Sequence, residues 1–272
     1  MARTLNHAIS VAGVGIHTGV DARVTLHPAP NGQGIIFERD GKAVPALAAN
    51  VVDTARCTVL GTNGTTVSTV EHLLSACAAL GVTDACVAID GPELPIGDGS
   101  ANLWVNALNE AGLTERAAAT PWKLQKPLLL TGKGGSFIAA YPSDTLTLTV
   151  SIHFDHPLVG TQVARYESDA HRYASEIAPA RTFGFIEEVE ALIAAGLAKG
   201  GSFDNAIIIY PDHTSSPLRF ADELARHKLL DVLGDLWLSG AELPQADIIA
   251  VKPSHRLNTE FAGSLAEERA AA

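Results

Sequence analysis

Two histidines and three carboxylates in this chain stand at spacings that suit metal chemistry. In Arg226-His227-Lys228-Leu229-Leu230-Asp231-Val232-Leu233-Gly234-Asp235-Leu236, the residues Leu229, Leu230, Leu233, Leu236 and Trp237 recur at helical spacing. That predicts one amphipathic helix with its apolar face on a core. His227, Asp231 and Asp235 then fall at i, i+4 and i+8, stacking an imidazole and two carboxylates along one side. Such a stack is half of a metal site; read alone, it is more ordinarily an exposed His-Asp pair on a solvated face. A second run, Ser68-Thr69-Val70-Glu71-His72-Leu73-Leu74-Ser75-Ala76-Cys77-Ala78-Ala79-Leu80, predicts another helix. Ser68 with Glu71 three residues on has capping-box form, which offers Glu71 a structural role. Yet Glu71 and His72 accompany an almost wholly apolar segment, where a purely structural helix needs neither. Catalytic zinc takes three protein ligands and leaves a fourth position for water. His72, His227 and Asp231 would supply that set, with Glu71 beside the water as general base. The pattern is not the helical zinc-peptidase motif, because the order is Glu-His and Ala76 stands where a second His is needed. Two imidazoles and one carboxylate suit Zn²⁺, and the same set tolerates Fe²⁺.

The elements that must position these residues come in two similar series. The first half reads as strands, the Glu71-His72 helix, a strand at Ala85-Cys86-Val87-Ala88-Ile89 and a helix near 101–111. The second reads as strands, the His227 helix, a strand at Ile248-Ile249-Ala250-Val251 and a helical tail with a frayed end. Alternation in Leu146-Thr147-Leu148-Thr149-Val150-Ser151-Ile152 predicts a half-buried antiparallel strand. Between the halves, Thr114-Glu115-Arg116-Ala117-Ala118-Ala119-Thr120-Pro121 has no hydrophobic periodicity and ends in Pro, which marks a boundary. The expected fold is therefore α+β: two similar domains, 1–118 and 122–272, each a small, mainly antiparallel sheet packed with helices. Each domain would carry one metal-bearing helix, with the active site at the domain interface.

With 272 residues, of which 47% are hydrophobic, the chain can bury real cores. No apolar run approaches the roughly 20 residues that span a bilayer, and the N-terminus lacks the long apolar segment of a secretory signal. Cys57, Cys77 and Cys86 are odd in number and show no Cys-x-x-Cys spacing, which argues against a disulfide framework. The expectation is a soluble cytoplasmic protein, monomeric by default because no heptad or exposed apolar stripe argues for assembly. A net charge of −11 argues against nucleic acid as a partner. An anionic substrate would then have to be met by local cations, for which Lys228 and Arg181 are candidates.

Five longer motifs appear in order: 68–73, Gly91-Pro92-Glu93-Leu94-Pro95-Ile96-Gly97-Asp98-Gly99-Ser100-Ala101, Ala180-Arg181-Thr182-Phe183-Gly184-Phe185, Gly200-Gly201-Ser202-Phe203-Asp204-Asn205-Ala206, and 226–236. Gly13-Val14-Gly15-Ile16-His17-Thr18-Gly19 precedes them and Ser254-His255-Arg256-Leu257-Asn258 follows. Together they resemble the UDP-3-O-acyl-N-acetylglucosamine deacetylase (LpxC) family from about Arg3 to Asn258. The resemblance implies a zinc amidase that removes the N-acetyl group of UDP-3-O-acyl-N-acetylglucosamine, the committed step of lipid A biosynthesis. Its small-molecule partner would be that acylated UDP-sugar.

The resemblance also implies roles for residues that spacing does not reach. Thr182 would join the metal in stabilising the oxyanion, and His255 would be general acid to the leaving amine, with Asp235 fixing its tautomer. Phe154 would stack on the uracil ring. A β-α-β insert near 176–206 would line an acyl passage with Phe183, Phe185 and Val189, and Ser202 lies in the motif that closes it. By pattern alone, Phe183, Phe185, Ile186, Val189, Leu192 and Ile193 form a core-packing helix, and Leu197 begins its closing stretch. One departure is Pro253-Ser254 before His255, where the family carries Ser-Gly; a required positive φ would strain Ser254. Two other readings use the same residues: a zinc amidase of this fold with a different N-acyl substrate, and a non-catalytic binding protein. An intact Glu71 favours catalysis, since a structural zinc site needs no base beside it.

Overall fold

The computed structural model describes residues 2–116, 122–194 and 198–271. Most of the expected boundary, 117–121, lies outside the described residues, as do Leu197 and the side chains of Leu192 and Ile193. Six α-helices are described: α1 (Glu71–Leu80), α2 (Asn102–Ala111), α3 (Ala170–Arg172), α4 (Ile186–Ala194), α5 (Glu223–Leu236) and α6 (His255–Ala271).

Two five-stranded sheets repeat one topology. In the first, the order is Ile9–Val14, Asp21–Pro28, Ala85–Ile89, Ile35–Arg39, Lys42–Pro45. In the second, it is Leu128–Thr131, Phe137–Pro142, Ala246–Val251, Thr147–Phe154, Gly160–Glu167. Each sheet is two antiparallel hairpins with a late strand inserted between them. That strand, Ala85–Ile89 or Ala246–Val251, runs antiparallel to one neighbour and parallel to the other. It follows α1 in the first half and α5 in the second, and α2 or α6 comes next. The fold is α+β, with small and mostly antiparallel sheets.

The expected alternation in the second sheet holds at Leu148, Val150 and Ile152, which are buried, while Thr149 and Ser151 are half-buried. Helices α1 and α5 pack against each other. Their buried side chains, Leu73, Leu74 and Cys77 on one and Leu229, Leu230 and Leu233 on the other, join both sheets in one continuous core. Gly234 explains how closely they approach. A Cβ on it would lie 2.0 Å from the Glu71 carbonyl oxygen, so a glycine in mid-helix lets the first turn of α1 rest on α5.

Four local expectations are corrected. The capping box does not form: Ser68 ends the strand Thr65–Ser68, Thr69 takes φ 59°, and Glu71 is the first residue of α1. Positive φ strains a β-branched residue. Thr69 is held there by its hydroxyl on Glu93 Oε1 (2.8 Å) and its N–H on Thr58 O (3.1 Å). Thr114 and Glu115 belong to a strand, Leu113–Glu115, paired with Arg3–Leu5, because the chain start supplies the missing ladder. The chain end is helical through Ala271 rather than frayed, with Phe261, Ala262 and Leu265 anchoring α6 in the core. At the departure before His255, positive φ falls on Lys252 (48°) rather than Ser254. Ser254 instead accepts the Leu257 N–H on Oγ (3.3 Å), a capping bond that starts α6.

No described helix is long and apolar enough to cross a membrane.

Candidate metal centre and cleft

His72 sits in the first turn of α1, and His227 and Asp231 one turn apart on α5. All three are buried, and one ligand atom from each lies within 4.8 Å of the others. His227 Nε2 is 3.5 Å from Asp231 Oδ1, and His72 Nε2 is 3.7 Å from the same oxygen. Donors bound at about 2.0–2.1 Å to a tetrahedral zinc stand roughly 3.3–3.4 Å apart, so the spacing is close to that of a zinc site. Helix geometry sets one pair, since i and i+4 share a face; the close seat of α1 on Gly234 sets the other.

Protonation favours the same reading. His227 Nδ1 lies 3.1 Å from the Ala180 carbonyl, which can only accept, so Nδ1 carries the proton and Nε2 presents its lone pair. Burial holds His227 below the ordinary histidine range and pushes His72 down to about 3, with His227 beside it adding to the shift. Both imidazoles are thus neutral and ligand-competent at neutral pH. Among the described residues His72 Nδ1 has no hydrogen-bond partner. Burial works against the Asp231 anion. Lys228, with Nζ 2.7 Å from Oδ2, and then the surrounding imidazoles outweigh it, holding the carboxyl well below the usual range. Two neutral imidazoles and a carboxylate form a donor set that fits a divalent zinc-class cation.

Two more titratable groups face this set. Glu71 Oε1 and Asp231 Oδ2 each lie 4.0 Å from His255 Nε2. Burial pushes Glu71 up to about 8, against the pull of His255 and with help from Asp235 and Asp231. For His255 burial acts downward, but Asp235, then Glu71 and Asp231, outweigh it and raise the imidazole to about 9. Asp235 Oδ2 accepts from His255 Nδ1 (2.9 Å), which directs Nε2 into the cleft. His255 is the first residue of α6 and only 7% exposed. These groups line a cleft of about 280 Å³ together with Thr54, Arg56, Phe154, Thr182, Phe183, Phe185 and Lys228. The larger cavity, about 820 Å³, opens at the C-terminal ends of α1 and α5, away from every one of the clustered groups. Size therefore does not mark the chemistry here.

A profile of the LpxC family, described as UDP-3-O-acyl N-acetylglycosamine deacetylase, matches residues 2–267. The chain belongs to this family. A UDP-3-O-acyl-N-acetylglucosamine deacetylase of Nostoc sp. is 43% identical over 271 residues, 95% of this chain and 96% of the relative. One from Syntrophotalea carbinolica is 42% identical over 265 residues, 95% of this chain and 85% of the relative. A bifunctional LpxC/FabZ enzyme of Bacteroides thetaiotaomicron is 37% identical over 298 residues, 98% of this chain and 64% of that protein.

The remaining sequence candidates divide. Thr182 lines the cleft, pinned through its backbone to Gly99 O (2.8 Å) and Ile207 N (2.9 Å); its hydroxyl makes no hydrogen bond with the described residues. Gly99 must be glycine, since a Cβ there would meet Asn205 O at 2.1 Å. Phe183 and Phe185 form a strand, Phe183–Phe185, rather than one helix with Ile186; it pairs in parallel with Ile207–Ile209 across α4. Their rings lie 5.9 and 5.1 Å from Phe154, an aromatic wall beside His227. Val189 is half-buried on α4 and packs over Gly184 instead of lining the cleft. Ser202 is exposed and bonded within its own turn, where its N–H reaches Asn205 Oδ1 at 2.8 Å. Arg181 is corrected as a cation candidate. Its guanidinium is committed to Glu223 (2.8 Å), Ser216 Oγ (2.9 Å) and Pro217 O (2.8 Å). Sequence reasoning overlooked Arg56, which lines the cleft and pairs with Glu188 at 2.6 Å. It also overlooked Thr58 and the buried Glu93. Glu93 takes the His17 and Thr18 N–H groups at 3.1 and 2.8 Å, tying the 15–19 turn to Thr69.

Proposed function

We propose that this chain hydrolyses the N-acetyl group of UDP-3-O-acyl-N-acetylglucosamine, giving acetate and UDP-3-O-acyl-glucosamine, as its family membership indicates. The observation that carries the reading is the convergence of His72, His227 and Asp231 with Glu71 and His255 on one cleft. His72, His227 and Asp231 would hold the metal, Zn²⁺ by donor type, with Fe²⁺ accepted by the same donors. When bound, that ion supplies Lewis acidity, acidifying water and polarising a carbonyl.

Glu71 is the general base. Its buried carboxylate takes a proton from the water that attacks the acetamide carbon, and the charged imidazole of His255 favours the ionised form it needs. His255, protonated across the neutral range and held by Asp235, gives a proton to the departing amine as the C–N bond breaks. The Thr182 hydroxyl, which makes no hydrogen bond with the described residues, donates to the carbonyl oxygen as negative charge grows there, a contribution that rewards preorganised donors. Lys228 offers a cation at the rim, and the aromatic wall of Phe154, Phe183 and Phe185 offers apolar surface for the uracil and acyl groups. The domains meet at this cleft, divided near 118–122. The place of the reaction is lipid A biosynthesis in the cytoplasm, and the chain acts as a monomer.

The test is acetate release from UDP-3-O-acyl-N-acetylglucosamine by purified protein, with a chelator and with zinc added back. Chelator-sensitive release restored by metal is expected. Absence of release from folded, metal-replete protein would overturn the reading and direct attention to another N-acyl substrate.

A further inference from the structure

Thr58 belongs to none of the motifs that carry the family resemblance, yet it is the residue that joins the two acid-base groups of the cleft. It is fully buried and immediately precedes the strand Val59–Thr62. Its backbone N–H donates to Glu71 Oε2 (3.1 Å), and its hydroxyl donates to Asp235 Oδ1 (2.5 Å). Its own carbonyl accepts from Thr69 N (3.1 Å), on the strained turn that launches α1. The other oxygen of Asp235 takes His255 Nδ1 and Asn258 Nδ2, each at 2.9 Å, both from α6. Among the described residues, Thr58 is therefore the hydrogen-bond partner of the Asp235 side chain that comes from the first half of the chain, across 177 positions.

A buried threonine hydroxyl has an ordinary alternative, a bond to a nearby backbone carbonyl. Thr58 does not use it. It reaches a carboxylate instead, and charge-assisted bonds of that kind are short and directional. One residue thus grips Glu71 through its backbone and Asp235 through its side chain. Asp235 in turn fixes the ring of His255, whose Nε2 stands 4.0 Å from Glu71 Oε1.

We propose that Thr58 is a positioning residue that sets the separation and alignment of the general base and the general acid across the seam of the molecule. This rests on the reading of Glu71 and His255 as that base and acid. Removing the hydroxyl frees Asp235 Oδ1, so the carboxylate can rotate and carry the His255 ring with it. The backbone grip on Glu71 remains, so the defect lies on the acid side.

The experiment compares Thr58→Val, which keeps the volume and loses the hydroxyl, with Thr58→Ser, which keeps the hydroxyl and loses the methyl. Each is measured as metal-replete enzyme, alone and combined with Asp235→Asn, with metal content and thermal unfolding recorded alongside. T58V is expected to lower kcat about 10- to 100-fold with KM within about twofold and metal content unchanged, and T58S to recover most of that kcat. In the D235N background T58V should cost less than about threefold, because the two changes cut one connection. If T58V does not fold, T58A removes the same hydroxyl and is read the same way. The proposal is overturned if the hydroxyl-free variant folds and keeps wild-type kcat, if T58S is as impaired as T58V, or if the loss is confined to KM. An inactive wild type would instead defeat the deacetylase reading, so the two failures are distinguishable.

Discussion

Helices α1 and α5 hold corresponding places in the two halves, each followed by the strand that inserts between two hairpins. They contribute to the cleft in opposite ways. α1 carries no charge after its first turn and delivers Glu71 and His72 from its N-terminal end, whereas α5 carries His227, Lys228, Asp231 and Asp235 along two turns of one side. An isolated α5 could not bury two carboxylates, because unpaired buried charge is costly. Lys228 and His227 on α5 and His255 and Asn258 on α6 supply most of the compensation, and the opposing half completes it with His72 beside Asp231 and the Thr58 hydroxyl on Asp235. A repeated fold thus gives a site only at its seam.

The sharpest way to break this arrangement is to remove the residue on which both helices converge. Asp231→Ala is expected to weaken metal binding at least about 100-fold, beyond the 10- to 100-fold typical of outer partners, and to leave no measurable turnover. Asp235→Ala, one turn along the same helix, should keep metal within about tenfold while lowering kcat. Metal titration of the two variants reads the contrast directly, and equal losses would mean that the two carboxylates are not divided between binding and positioning.

Glu71→Gln separates catalysis from stability. Metal stays bound and kcat falls about 10²–10⁴-fold, the span of a lost general base. In metal-free protein the same change should stabilise. The folded-state value of Glu71, about 8, lies above its ordinary 4.5, so between those pH values the folded state binds more protons than the unfolded one. Stability then falls as pH rises, by at most about 1.4 kcal/mol per pH unit from this group. His255, raised to about 9 from 6.5, acts in the same sense: its contribution is full below about 6.5 and is lost as pH climbs through 9. The gain from E71Q should therefore grow from pH 5 to pH 8 in thermal unfolding of chelated protein. A gain that shrinks over that range would reverse the sign of the Glu71 shift.

Gly234→Ala tests the seam itself. The added methyl meets Glu71 O, so α1 must retreat from α5; overpacking of this kind costs about 1–3 kcal/mol. Denaturant unfolding should show that loss, and kcat should fall further than stability alone explains because Glu71 and His72 move together.

Much of this was legible in the residues, and the reasons are local. His227, Asp231 and Asp235 share a helix, so a period of 3.6 states their relation without any tertiary information. Glu71-His72 stands out as charge beside an apolar helix, and the strand alternation of 146–152 carries its own period. Thr58 and Glu93 were hidden because each acts on partners far along the chain, with no period linking them to anything. The capping box misled for the opposite reason. The local pattern was present, but tertiary bonds to Glu93 and Thr58 hold Thr69 at positive φ and start the helix at Glu71. By pattern alone Phe183 and Phe185 fit a helix, because apolar residues in a short run fit either period; the family resemblance implies a β-α-β unit there, and the parallel partner Ile207–Ile209 makes them a strand.

The aromatic wall gives the smallest expected effect and the complement to the buried cluster. Phe154, Phe183 and Phe185 are half-buried, packed edge-on or tilted with ring centroids 5.1–6.4 Å apart, and none touches the proposed base or acid by a hydrogen bond. Such surface binds ground state and transition state alike, and loss of uniform binding raises KM with kcat unchanged. Phe185 also meets the His156 ring at 5.3 Å, so its truncation opens one side of the wall without reaching His227. Phe185→Ala should raise KM for the acylated substrate about 5- to 10-fold, an amount matching roughly 1–1.4 kcal/mol of lost apolar contact, with kcat and metal content near wild type. Shortening the acyl chain should weaken binding to wild type and change the variant less, because part of the surface that reads the chain is already gone. A fall in kcat with KM preserved would instead make Phe185 a support of the metal cluster, and the division between a fixed, buried centre and an adaptable wall would have to be redrawn.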